Sequence, residues 1–245
     1  MSERRAVLLC AGRGTRARDV TDGLPKCLLT IDGVSLVRRV LSQLAAQGVD
    51  DVHVVVGHRR ELVEREVRGL ATTHVVHDYA TSNNLWTLAA HAELLHGHDT
   101  ALIFGDVVVD DPVMTDLWEA PGDLALLVDT TSRLEGTMRV LRHPDGRVEL
   151  GNQVPTARCD GNYVGIMRAS ATAAGRLADA VRRERDAGRG RDDYFTSVLH
   201  GLTGHLDARL VPVARGSWAE IDTPEDHRAA LARFSRTRRP ATKGA

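Results

Sequence analysis

The residues with the most chemical capacity are spread over the whole chain: Gly12, Gly14, Arg16 and Lys26 near the start, Asp106 in the middle, Asp222 near the end. The stretch Leu9-Cys10-Ala11-Gly12-Arg13-Gly14-Thr15-Arg16 directly continues an apolar run from Ala6. Glycines in such a loop let backbone N–H groups approach a phosphate or a base with no Cβ in the way. Arg13, Arg16, Arg18 and Lys26 add positive charge beside them. Lys26 is unusual by composition: of 32 basic residues only Lys26 and Lys243 are lysines. An ammonium is a compact point charge and a guanidinium a broad planar fork, so Lys26 marks a place where the fork does not suit. Carboxylates complete the set. Asp106 follows Ala101-Leu102-Ile103-Phe104-Gly105, and Asp222 lies in Trp218-Ala219-Glu220-Ile221-Asp222-Thr223-Pro224. One or two carboxylates together with phosphate oxygens are the ligands that Mg²⁺ takes. Thr223 can cap the helix that Pro224 opens, which leaves Asp222 for other work. Asp110 and Asp111 read as caps for a helix at Pro112.

Other chemistries are less well supplied. The loop lacks the Gly-Lys-Ser/Thr ending of a Walker A motif, and Asp22, Gly23 and Pro25 break the helix that a dinucleotide-binding loop opens. The eleven histidines form no His-Glu-x-x-His, and no Ser/His/Asp or Cys/His pattern is visible. Cys10, Cys27 and Cys159 are an odd set without Cys-x-x-Cys, which points to a reducing compartment rather than a disulfide framework. A net charge of −1 argues against a general nucleic-acid surface. No run of 18 apolar residues occurs, and the N-terminal apolar segment is too short for a signal-peptide core. The expectation is a cytoplasmic protein that binds neither membrane nor nucleic acid.

The elements that must position these residues alternate. Strands are expected at 6–10, 52–56, 74–77 and 100–104, with helices at 35–46, 60–70 and 84–95 between them, the last capped by Ser82 or Asn83. This order implies parallel strands with right-handed crossovers, and ligands bind at the carboxyl edge of such sheets. The second half reads as strands at 124–129, 162–167 and 209–213, a hairpin around Pro144-Asp145-Gly146, and helices at 169–185, 193–202 and 224–234. A 245-residue chain with this pattern is expected to be one domain over 1–235. Its nucleotide-binding half is about 1–110 and its acceptor half about 111–235, followed by a flexible basic tail at 236–245.

Gly12-x-Gly14-x-Arg16 followed by Pro25-Lys26 resembles the signature of sugar-phosphate and choline-phosphate nucleotidylyltransferases. Tyr79-x-x-x-Asn83 resembles the choline-phosphate and phosphonate cytidylyltransferase branch. Gly136-Thr137-Met138-Arg139, Gly161-Asn162-Tyr163 and Asp193-Tyr194 are similar to its acceptor half. The resemblance covers the chain to about Phe234 and implies a Rossmann-like three-layer α/β sandwich with a mostly parallel mixed sheet. It implies that Ala11, Gly12, Gly14, Thr15, Arg16, Lys26, Ser82 and Asn83 hold the nucleotide. It puts Asn83, Arg139, Asn162, Tyr194 and Glu220 on the acceptor, with Arg16, Lys26, Asp106 and Asp222 catalytic and the two aspartates binding Mg²⁺. The partners implied are CTP or another NTP and a small phosphonate or phosphomonoester, in a monomer or homodimer. Two departures concern the acceptor: arginine stands at 139 where the branch often has lysine, and no lysine stands at 152 or 153. Few aromatics are present for a choline cage; Tyr79, Trp86, Tyr163, Tyr194 and Trp218 are the candidates. Arg133, Arg139 and Arg168 are available for an anionic acceptor. The rival readings are a phosphocholine or sugar-phosphate nucleotidylyltransferase, a nucleotide-sugar glycosyltransferase, which lacks its Asp-x-Asp here, and a non-catalytic nucleotide sensor.

Overall fold

Along the first strand, β1 (Arg4–Cys10), Ala6, Leu8 and Cys10 pack into one apolar cluster and Val7 into another on the opposite side. Successive side chains of a strand point to opposite faces, so a strand apolar on both needs a layer of cover on each. A computed structural model describes residues 3–14, 23–134 and 137–235. Thr15, Arg16, Arg18, Gly136 and the tail from 236 lie outside the described residues.

After β1 the chain forms the short β2 (Thr30–Ile31) and β3 (Val34–Ser35), α1 (Leu36–Ala46), β4 (Asp51–Val56), α2 (Arg60–Glu66) and β5 (Thr72–Val75). Next come α3 (Asn84–Ala89), β6 (Asp99–Phe104), β7 (Val107–Val109), α4 (Asp111–Glu119), β8 (Leu124–Asp129), β9 (Arg139–Arg142) and β10 (Val148–Gly151). The remainder is β11 (Gly161–Ala169), α5 (Ala171–Asp186), α6 (Leu199–Thr203), β12 (Ala208–Pro212), β13 (Trp218–Glu220) and α7 (Pro224–Phe234). Strands β5, β4, β1 and β6 lie side by side and parallel, with Cys10 opposite Val56 and Leu9 opposite Phe104. Past β6 the direction reverses: β11 is antiparallel to β6, β8 and β9, the β9–β10 hairpin continues the edge, and β12 joins β8 in parallel.

One face of this mixed sheet is covered by α1 through Val37, Val40, Leu41 and Leu44 and by α4 through Met114 and Leu117. The other is covered by α3 through Leu85 and Leu88 and by α5 through Ala174, Leu177 and Val181. The apolar i, i+3, i+4 spacing of α1 is what buries one side of it, and Ser35 caps its start by accepting from Arg38 N. A third cluster of Leu29, Ile31, Val108, Ile221 and Phe234 packs α7 beside β2 and β7. The result is the three-layer α/β sandwich expected.

Boundaries differ where tertiary bonds compete with the local pattern. The helix expected at 84–95 breaks after Ala89: His91 leaves helical dihedrals (φ −132°, ψ 34°), its ring meets the carbonyl of Val75, and a short 3-10 turn, Ala92–Leu95, follows. The helix expected at 193–202 splits into a 3-10 turn, Phe195–Val198, and α6, because Asp193 O and Phe195 N bond to α3 (Leu85 N and Asn84 Oδ1) instead of to their own segment. The helix expected to reach residue 70 ends at Glu66. Asp110 is the N-cap residue of α4 but makes no side-chain cap bond, while Asp111 accepts from Gln43.

Candidate active site

Because β1, β4 and β6 are parallel, their carboxyl ends open on one edge, where Gly12, Gly57 and Asp106 follow their last residues closely. A cavity of about 300 Å³ lies there. Its floor comes from the ends of β1 and β6, namely Leu9, Cys10, Ala11, Phe104 and Gly105. Its walls are Gly12, Gly14, Lys26 and Cys27 on one side and Tyr79, Ser82, Asn83, Asn84, Thr87 and Tyr194 on the other, with Asp106 and Glu220 at the charged end. Close backbone approach forces two of the glycines. A Cβ on Gly105 would meet Cys10 Sγ at 2.6 Å, and Gly14 has φ +57° with the Lys26 stem 2.9 Å from where its Cβ would stand. Nothing among the described residues crowds a Cβ at Gly12.

The charged end is built by a contact that joins the two extremes of the chain. Three-residue β13 pairs antiparallel with β7, Glu220 opposite Val107, and Ile221 N donates to Asp106 O at 2.9 Å. That ladder delivers Asp222 beside Asp106. A capping box holds it: Thr223 accepts from Asp226 N, and the Asp226 carboxylate accepts from the backbone N–H groups of Asp222 and Thr223. Pro25 directs the chain into a 3-10 turn, Lys26–Leu28, from which Lys26 Nζ donates to Asp106 Oδ2 at 3.0 Å and to Asp222 Oδ1. The three side chains are 12%, 22% and 20% exposed. Burial alone lowers the pKa of Lys26, but the charge of Asp106 and the hydrogen bond to Asp222 more than reverse this, so it lies above its ordinary value and the ammonium stays charged. A thiolate is not on offer: a hydrogen bond with Cys27, then burial, push the Cys10 pKa well up.

Carboxylate oxygens of Asp106, Glu220 and Asp222 lie within 4.8 Å of one another. Glu220 and Asp222 are two apart on extended chain, which sends their side chains the same way. Among the described residues, the Lys26 ammonium stands against the carboxylates of Asp106 and Asp222. All-oxygen donors of this kind suit a hard dication such as Mg²⁺, so the residues match the ion that the sequence implies.

Most of the positions expected from sequence converge here: Ala11, Gly12, Gly14, Lys26, Ser82, Asn83, Asp106, Tyr194 and Glu220 line the cavity, and Asp222 reaches it through Lys26. Asn83 caps α3 by accepting from Asn84 N, and its amide donates to Asp192 O. Further bonds from Asn83 N to Arg191 O and from Phe195 N to Asn84 Oδ1 stitch loop 188–195 to the start of α3, and so carry Tyr194 to the cavity wall.

Two expected acceptor residues are not brought to the cavity. Arg139 is 6% exposed and donates to the carbonyls of Leu134, Asn152 and Val154. Asn162 is fully buried, accepting from Leu134 N and donating to Ser132. Both tie down irregular chain around β9, where polar groups without a ladder partner must find one. Arg168 likewise donates to Leu117, Ala120 and Gly122 at the end of α4, and the exposed Arg133 bonds local carbonyls. Of the five aromatic candidates only Tyr79 and Tyr194 line the cavity. Trp86 is flanked by Arg185 and Arg191, Trp218 donates to Asp129, and Tyr163 is buried edge-on against Phe104. Asn84 and Thr87, from the same segment as Tyr79 and Asn83, also stand in the wall, and Cys10 and Phe104 enter the floor because they end the parallel strands β1 and β6.

Residues 6–192 match the family described as the MobA-like NTP transferase domain. A CMP-5'-(3-aminopropyl)phosphonate synthase of Streptomyces rubellomurinus is 33% identical over 94% of the chain, and a bifunctional IPC transferase and DIPP synthase of Rubrobacter xylanophilus is 31% identical over 91%. The chain spans 39% and 50% of the lengths of these two relatives. In fold it superposes on the CTP:phosphocholine cytidylyltransferase of Streptococcus pneumoniae with a TM-score of 0.79 at 19% identity, over 95% of this chain and 100% of that one. The inositol-1-phosphate CTP transferase of T. maritima gives 0.73 at 19% identity over 92% of each. With the match running through the glycine loop, Lys26 and Asp106, and the same fold in both solved structures, the chain belongs to the MobA-like NTP transferase domain family.

Proposed function

We propose that this protein is a cytidylyltransferase that transfers CMP from CTP to a small phosphonate and releases pyrophosphate. The observation that carries the reading is Lys26 held between Asp106 and Asp222 at the charged end of a glycine-walled cavity. Of four relatives or fold neighbours, three are transferases by name and one is a synthase. Three of the four name CTP or CMP, and one names an aminopropylphosphonate.

In this reading a phosphonate oxygen attacks the α-phosphorus of CTP in line. A new P–O bond forms, the bond to the β-phosphate bridging oxygen breaks, and pyrophosphate departs with its electron pair. The nucleophile is already an anion near neutral pH, so no general base is needed. Lys26, held protonated, releases its carboxylates and faces the α-phosphate, where negative charge accumulates in the transition state. Arg16 is assigned to the departing phosphates on the resemblance of its motif. Asp106 and Asp222, with Glu220 beside them, would hold Mg²⁺, which supplies neutralisation of the phosphates when bound. The open space at Gly12 and the backbone of Ala11 accommodate the nucleotide, with Ser82 and Asn83 at the far wall. Tyr194 and Asn83 face the acceptor, and two tyrosines are a sparse cage for a quaternary ammonium, which favours a phosphonate over phosphocholine.

The test is a matrix of CTP, UTP, ATP and GTP against alkyl-, carboxy- and aminoalkylphosphonates, phosphocholine and sugar phosphates, scored by pyrophosphate release with Mg²⁺. CTP with a phosphonate is expected to give the highest kcat/KM. Release only with a sugar phosphate, or none with any pair, overturns the assignment.

A further inference from the structure

A second group of ligand-type side chains lies outside the cavity lining, where the β9–β10 hairpin meets α6. His143 stands just past β9, Glu149 on β10, and His200 on α6, all partly buried, each offering an atom within 4.8 Å of the other two. His143 Nε2 and Glu149 Oε2 are 3.0 Å apart, and the rings of His143 and His200 meet edge to face at 5.3 Å between centroids. The support is firm. Thr203, one helical turn beyond His200, accepts from Val148 N at 2.9 Å, which docks α6 on the strand next to Glu149. His200 Nδ1 is buried and has no hydrogen-bond partner among the described residues. A buried ring nitrogen without a partner is uncommon, and a missing water or ion is one of its standard explanations.

We propose that His143, Glu149 and His200 form a binding site for a first-row transition-metal dication, Zn²⁺ first among them. Two imidazoles and one carboxylate are a ligand set that zinc takes with a water in the fourth position. Ligand atoms around a tetrahedral zinc stand about 3.3 Å apart, inside the 4.8 Å that bounds the three atoms here. Imidazole also separates this site from the all-oxygen corner at Asp106: it favours zinc, copper or nickel over magnesium. The ion would link the β9–β10 hairpin to α6. The 3-10 turn at Phe195–Val198 runs directly into α6, and Tyr194 precedes it, so the bound ion stiffens the segment that supplies the cavity wall. With side chains of His143 and Glu149 27% and 31% exposed, an ion reaches the site from solvent.

The untagged full chain is titrated with Zn²⁺ by calorimetry in millimolar Mg²⁺, which keeps the acidic corner occupied. Co²⁺ absorption in the visible region serves as a second readout of imidazole ligation. Wild type and Asp106→Asn are expected to bind one Zn²⁺ per chain. His143→Asn and His200→Asn should bind at least about tenfold more weakly and lose the Co²⁺ band. Melting curves without metal check that each variant is folded, and Glu149→Gln, at a more exposed position, gives an independent reading if a histidine variant unfolds early. Unchanged Zn²⁺ affinity in the folded variants, or no binding by wild type, overturns the site and leaves the nucleotidyl-transfer reading untouched.

Discussion

The parallel and antiparallel parts of the sheet treat the same kinds of polar residue in opposite ways. At the carboxyl edge of β1 and β6, Lys26, Asp106 and Asp222 are partly exposed and bond one another across the wall of a cavity. Around β9 and β11, Arg139, Asn162 and Arg168 are buried and satisfy backbone carbonyls and loop N–H groups. The first arrangement puts charge on a cavity wall, and the second uses polar side chains as fasteners. Residue type alone does not separate the two; what separates them is whether the neighbouring chain has ladder partners for its own polar groups.

The comparison breaks most sharply under substitution. Asp106→Asn keeps size and removes one charge of the acidic corner, so kcat for nucleotidyl transfer is expected to fall about 10³-fold with little change in melting temperature. An equal loss of stability and activity would make Asp106 a fastener too. Arg139→Ala is the mirror case. It leaves buried carbonyls without donors and is expected to cost about 2–4 kcal/mol in urea unfolding, while the kcat of the remaining folded protein stays near wild type. A specific rise in acceptor KM without destabilisation would return Arg139 to the acceptor. Tyr194→Phe, between the two regions, is expected to raise acceptor KM by about two- to tenfold and to leave the KM for CTP unchanged.

Sequence carried the parallel half well because its signals are long or chemically exclusive. These are an apolar run ending in glycines, a lysine in a chain that otherwise uses arginine, and an aspartate after a strand. The β7–β13 ladder was not legible: each strand has three residues, too few for a period to show, and only their pairing across more than 100 residues brings Asp222 to Asp106. The same pairing brings Glu220, expected on the acceptor side, within 4.8 Å of both aspartates. The resemblance put Arg139 and Asn162 on the acceptor, and the structure buries both against carbonyls and loop N–H groups outside the cavity lining, a placement that residue type alone does not reveal. The break at His91 and the split after Asp193 depend on bonds to Val75 and Asn84 that no local periodicity reveals.

The smallest expected effect is on pH dependence of stability, at the outer edge of the parallel half. His53 Nδ1 and His74 Nε2 lie 2.9 Å apart on β4 and β5. Burial first, and then neighbouring positive groups, hold both pKa values below the ordinary 6.5. Their contribution is therefore full above pH 6.5 and lost as pH falls through the lower folded values. Thermal melts from pH 8 to 5 should show a fall in melting temperature below about pH 6.5, and His74→Asn should flatten it. A flat wild-type profile contradicts the pair's role.

Lys26, Asp106 and Asp222 are proposed to act as one nucleotidyl-transfer centre. The most direct test is single-turnover ³¹P NMR of CTP with an aminoalkylphosphonate and Mg²⁺, comparing wild type with Asp222→Asn. The expected result is that the α-phosphorus of CTP appears joined to the phosphonate as pyrophosphate forms, with the rate at least about 10²-fold slower in the variant. Intact CTP with wild type, or equal rates in the two proteins, would contradict it.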